Sequence, residues 1–137
     1  MNRIEDRIVL SLAVVFFAAF FVAARKPKDA GPTDGPVARL RDAPDSVKAL
    51  KNPLADDPQA VTAGQKLFLR HCASCHGDDG TGKGHAADLH AREIREAPPG
   101  VLFWAISNGR LRKGMPSWSG LPPAQRWQLV TYLKSLN

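Results

Sequence analysis

Five residues, Cys72-Ala73-Ser74-Cys75-His76, constrain this chain more than any other stretch. Two thiols and an imidazole at this spacing serve three chemistries. A structural zinc takes four protein ligands, usually from two paired knuckles, yet Cys72 and Cys75 are the only cysteines. A dithiol redox Cys-x-x-Cys belongs beside a βαβ pattern, whereas Thr62 to His71 has helical spacing. The third chemistry is attachment of a c-type haem, whose signature is Cys-x-x-Cys-His. Each thiol adds across one vinyl group, and the imidazole of His76 reaches the iron from the same side. This is the reading the motif favours. It also supplies bulk: a domain this small is marginal on polypeptide core alone, and a covalently held apolar macrocycle makes up the deficit.

Before the motif the chain changes character twice. Residues 8–24, IVLSLAVVFFAAFFVAA, carry no charge. Seventeen residues lie at the short end of a membrane-spanning helix and beyond the usual apolar region of a signal peptide. Val22-Ala23-Ala24 resembles a cleavage site, and both flanks are basic, so anchor and cleaved signal both stand, with the anchor preferred. Residues 25–57 read as a linker, punctuated by Pro27, Pro32, Pro36, Pro44 and Pro53. Seven basic and six acidic side chains leave it near neutral, and its apolar content is too low for a core. A short helix around Ser46 to Lys51 fits the pattern. As a disordered tether, 33 residues would reach roughly 30 Å.

The folded domain is expected from Asp57-Pro58 onward, over residues 58–137. Asp57 suits a helix cap and Pro58 the first turn. Val61, Gly64, Leu67 and Phe68 then recur at helical spacing into the cysteine motif. Gly77 to Lys83 spells the start of a phosphate-binding loop, but Gly84 replaces the Ser or Thr and no strand precedes it. The expected element there is a flexible turn along one edge of the haem. A second helix is expected over Val101 to Ser107, ended by Asn108-Gly109, and a third after Leu121-Pro122-Pro123, striped by Trp127, Val130, Leu133 and Leu136. Residues 85–97 give no clear pattern. His85 and His90 are nominal iron ligands there, more simply surface histidines.

Met115, the only methionine besides the initiator, stands between Gly114 and Pro116 in a basic loop. Such a place suits a thioether ligand on iron better than core filling, and Pro116 restricts Met115 to extended backbone. The net charge of +6 raises the question of nucleic acid, but the basic residues are scattered and carry no binding motif. Residues 58–137 hold ten basic and five acidic side chains, so nearly all the excess lies on the expected haem domain.

Residues 59–137 resemble a bacterial class I monohaem cytochrome c. The matching pieces are Gly64-x-x-x-Phe68, Cys72-x-x-Cys75-His76-Gly77, Leu102-Phe103-Trp104, Gly109, Met115-Pro116 and Arg126-Trp127-x-Leu129-Val130-x-Tyr132-Leu133. The resemblance implies a small all-α fold whose first and last helices cross, with Gly64 beside Tyr132. It implies one covalent haem c on Cys72 and Cys75, with His76 and Met115 as axial metal ligands. It also implies an exported domain on the periplasmic side of a bacterial cytoplasmic membrane, and the apolar run within residues 1–24 is the anchor expected to hold it there. The expected task is one-electron transfer, not enzymatic turnover, as a carrier or a subunit of a respiratory or photosynthetic complex. The expected partners are redox proteins with acidic docking surfaces. The alternative is a haem enzyme or gas sensor whose methionine leaves the iron. One departure stands out: the family usually has a proline whose carbonyl holds the proximal histidine, and Ala87 occupies the nearest matching position.

Overall fold

The computed structural model describes residues 37–136, which contain six α-helices, two 3-10 turns and no strand. The apolar run 8–24 lies outside the described residues. Among those described, no helix is long and apolar enough to cross a membrane.

Helix α1 (Asp45–Lys48) is a single turn after a 3-10 turn at Ala38–Asp42. Helix α2 (Pro58–His71) starts as its sequence dictates. The Asp57 carboxylate accepts the Gln59 N–H at 2.8 Å, and Pro58 occupies the first turn, where no N–H is needed. Its apolar stripe buries Ala60, Gly64 and Phe68. The cysteine motif continues as the short helix α3 (Ala73–His76). Helix α4 (Arg92–Glu96) lies in the stretch whose sequence has no period, and Ile94 is its buried residue. Helix α5 (Pro99–Asn108) ends at Gly109, with φ +58°. Helix α6 (Pro123–Ser135) buries Leu129 to Leu133.

The crossing of α2 and α6 holds the domain together. Gly64 makes it possible. A Cβ there would overlap the Gln128 carbonyl and stand 2.8 Å from Tyr132 Cβ. With the backbones this close, Phe68 and Tyr132 pack with ring centroids 5.3 Å apart, inside the range where aromatic pairs attract. Against α6 also lies α5, where Phe103 stacks on Trp127 at 4.2 Å and the Arg126 guanidinium sits 4.6 Å from the Phe103 ring centre.

The stretch expected as a linker is packed from Val37 onward. Ala43 is buried, and α1 lies on α5 so closely that a Cβ on Gly100 would overlap the Val47 carbonyl. Asn52 donates from its amide to Thr131 Oγ1 on α6 at 2.8 Å. The single hydroxyl hydrogen of Thr131 lies between the carbonyls of Leu54, at 3.2 Å, and Trp127, at 3.0 Å. Small side chains, bare backbone and one polar junction make these contacts, none of which registers as hydrophobic period.

Gly64→Ala is expected to force α2 and α6 apart and lower stability by about 1–3 kcal/mol, the usual cost of overpacking. Thermal unfolding of the haem-loaded protein checks this, and an unchanged midpoint would show that the crossing tolerates a methyl group.

Candidate haem site

Around the crossing the helices leave an open cleft. Phe68 of α2, Leu102 and Ile106 of α5, and Leu129 and Leu133 of α6 form apolar walls. Cys72, His76 and Met115 reach the same cleft, so the described structure brings together three of the four residues singled out in the sequence. Cys75 stands one turn along at the exposed end of the motif.

Local backbone geometry sets each of these side chains. The Cys75 and His76 N–H groups both bond the Cys72 carbonyl, at 3.1 and 2.9 Å, winding the motif into a turn. The loop after it is fastened, not loose as its glycines alone imply. Gly82 N–H bonds the His76 carbonyl at 2.8 Å, Lys83 N–H the Cys75 carbonyl at 3.1 Å, and Leu89 N–H the Gly80 carbonyl at 2.8 Å. Gly82 has φ +86°, and a Cβ there would meet Ala86 O at 2.7 Å. Thr81 donates its N–H and hydroxyl to the Asp79 carboxylate, which holds that carboxyl below its ordinary range.

His76 Nδ1 lies 3.0 Å from the Ala87 carbonyl. A backbone carbonyl needs no particular side chain to accept, so alanine does here what proline does in the pattern the sequence resembles. The contact fixes the ring and leaves Nε2 for a metal. The other histidines are engaged elsewhere or lie outside the cleft. His90 Nε2 is 2.8 Å from the Asp79 carbonyl, His71 packs on Trp118 at 5.2 Å, and His85 is exposed.

Met115 sits on a loop pinned at both ends. Arg110 N–H bonds the Met115 carbonyl at 2.7 Å, and Met115 N–H returns to the Arg110 carbonyl at 3.2 Å. Ser117 Oγ donates to the Ser107 carbonyl at 2.6 Å, and Trp118 N–H to the Ile106 carbonyl at 3.1 Å. Gly109 leaves no room for a Cβ against the Pro116 backbone.

Burial pushes the Cys72 thiol up to about 11, with neighbouring Cys75 adding to the rise. A thioether, which carries no charge, suits such a buried place. An apolar cleft, a half-buried thiol, an aimed imidazole and a methionine sulfur together fit haem c in donor chemistry. Among the described residues no other cluster of His, Cys, Asp and Glu could hold a metal.

Residues 59–133 match the family described as cytochrome c oxidase, cbb3-type, subunit III. The chain belongs to this family. The family's cytochrome c domain carries covalent haem c. Curated relatives include the cbb3-type cytochrome c oxidase subunit CcoP of Rubrivivax gelatinosus, 46% identical over 48 residues, which are 33% of this chain and 16% of that protein. Subunit FixPc of Rhizobium leguminosarum bv. viciae is 32% identical over 74 residues, 47% of this chain and 23% of that one. The quinohemoprotein alcohol dehydrogenase ADH-IIG of Pseudomonas putida is 32% identical over 81 residues, 58% of this chain and 11% of that enzyme. This chain therefore spans less than a quarter of each. Among solved structures, cytochrome cL of Methylophaga aminisulfidivorans superposes with TM-score 0.54 at 26% identity, covering 62% of this chain and 58% of that one.

Replacing Cys72 and Cys75 together by Ser is expected to abolish covalent haem and, with the cleft unfilled, cooperative folding. Intact mass and thermal unfolding check this. A haem-free double variant that melted like the parent would show a polypeptide core sufficient by itself.

Proposed function

We propose that this chain is a one-electron carrier in which His76 and Met115 bind the haem iron axially. The observation that carries the reading is the arrival of both side chains, one from helix α3 and one from the methionine loop, at one apolar cleft. The haem, when bound, supplies a one-electron iron couple, and methionine with histidine raises its potential relative to two histidines. The protein's work is then positional. The Ala87 carbonyl holds a proton on His76 Nδ1. The pinned loop keeps the Met115 sulfur in place, and the walls of α2, α5 and α6 exclude water. With both axial positions filled, no site is left for substrate, so electrons cross without bond making. The two relatives named as cbb3 oxidase subunits support this reading over the enzymatic one. The dehydrogenase match covers only 11% of that enzyme, which fits a shared carrier domain.

The same reading places the domain outside the cytoplasm, held to a bacterial membrane by residues 1–24 and joined to the described fold through the segment before Val37. Its function as a subunit or partner of a membrane electron-transfer complex draws support from the family. The proposed docking face is the 3-10 turn Leu111–Lys113 next to the methionine loop. There Arg112 and Lys113 are exposed, and Leu111 is 75% exposed. An apolar tip ringed by positive charge suits an acidic partner surface, where charge mainly raises the association rate and salt screens it within about 8 Å.

Met115→Ala is expected to open the iron, lower the potential and admit small ligands, as absorption and magnetic resonance would register. An unchanged low-spin spectrum, with the change appearing instead in His85→Ala, would transfer the ligand role. For docking, the detergent-solubilised full chain, its intact mass including residues 1–24, should exchange electrons with its oxidase at a rate that falls as salt rises. Arg112→Gln together with Lys113→Gln should slow that rate and flatten its salt dependence with the haem spectrum unaltered. A salt-independent parent rate would remove the electrostatic face.

A further inference from the structure

The cleft has a wall that the cytochrome motifs do not supply. Val37, Arg39 and Leu40, from the stretch expected as linker, line it together with the motif residues. Arg39 and Arg110 are the cationic side chains among the described lining residues, which include no carboxylate. The Arg39 guanidinium carbon lies 4.5 Å over the face of Trp104, on α5. A guanidinium stacked through its flat face keeps its N–H donors in its own plane for an acceptor. Here the Nε of Arg39 is buried with no hydrogen-bond partner, the only side-chain nitrogen or oxygen in that state among the described residues. An unpaired buried donor costs about 1–3 kcal/mol, more when charged, so a native structure that keeps one has an acceptor for it from elsewhere.

The segment is held where it could present that donor. Buried Ala43, the seat of Val47 on Gly100 and the Asn52–Thr131 bond fasten it to α5 and α6. The haem that Cys72 and Cys75 hold brings two propionate carboxylates, the anions that the described lining residues lack. We propose that Arg39 pairs with a haem propionate, and that residues 37–42 are a wall of the haem site rather than a tether. Val37 and Leu40 cover the macrocycle's edge while Arg39 neutralises its charge. The inference rests on haem attachment at the cysteine motif.

The test uses the full-length haem protein, and intact mass is read first. Absence of haem from the parent would overturn the attachment reading itself, whereas every later readout concerns Arg39. Magnetic resonance then follows the haem propionate signals against pH. In the parent, one propionate should stay ionised at least one pH unit below an ordinary carboxylate, the size of shift an adjacent Arg gives. Arg39→Gln should bring it back, a tenfold or greater rise in proton affinity, and lower the reduction potential, because a positive charge beside the iron favours the reduced state. Arg39→Lys, which keeps charge and folding, should retain most of the depression. Leu40→Ala loosens the wall without removing charge and should leave the propionate low. Two ordinary propionates in the parent, or an unchanged titration in Arg39→Gln, would overturn the pairing. So would a Leu40→Ala variant that reproduces the Gln effect, since water entry and not charge would then be the cause.

Discussion

The fold depends on apolar side chains that surround a space instead of filling it. Phe68, Leu89, Ile94, Leu102, Ile106, Leu129 and Leu133 belong to the buried core and also line the cleft. In a domain of this size a polypeptide core alone is marginal. The covalent haem c of this family adds apolar bulk to that core. This places the iron's chemistry inside the unit that gives the protein its stability. A change in the cleft wall affects both.

From this constraint the loops follow. The glycine-rich loop is tied back to the motif by backbone bonds, and the Ala87 carbonyl at its far end meets His76. The methionine loop is tied to α5 at Ser107 and Ile106. Each loop is held largely by backbone N–H and carbonyl groups, with Ser117 and Trp118 adding side-chain contacts to the methionine loop. Rigid backbone on both sides of a cofactor suits electron transfer, which is fastest when little has to move.

Much of this was legible in the residues. The Asp57-Pro58 start and the spacing of Val61, Gly64 and Phe68 concern a helix that buries one face, which periodicity records, while the last helix is legible from its run of apolar residues, buried all round from Leu129 to Leu133. The cysteine motif and Met115-Pro116 are legible because few other uses require them. The docking of residues 37–57 was not legible, since Ala43, the Val47 carbonyl and Asn52 carry no hydrophobic signal. Gly100 was the available clue: a glycine in the first turn of a helix costs stability against alanine, about 1 kcal/mol in a helix interior, and here it buys a close approach. Residues 85–97 escaped for a related reason. Leu89, Ile94 and Ala97 are buried one at a time, with only Ile94 in a helix, and that helix is five residues long.

The hydroxyl of Thr131 has a consequence for the order of assembly. It sits on the last helix, yet it receives Asn52 and faces the Leu54 carbonyl. The segment made early thus has its seat on the segment made last. The α2–α6 crossing itself closes a loop of some sixty residues, at an entropic cost that grows only as the logarithm of its length, roughly 4 kcal/mol beyond a constant. Synthesis therefore runs opposite to docking. The cysteine motif is complete while α6 is still absent, and the cleft then stands open on the side that α6 and residues 37–42 later close. Without α6 that seat is missing, so the N-terminal segment has its place only once the final helix is present.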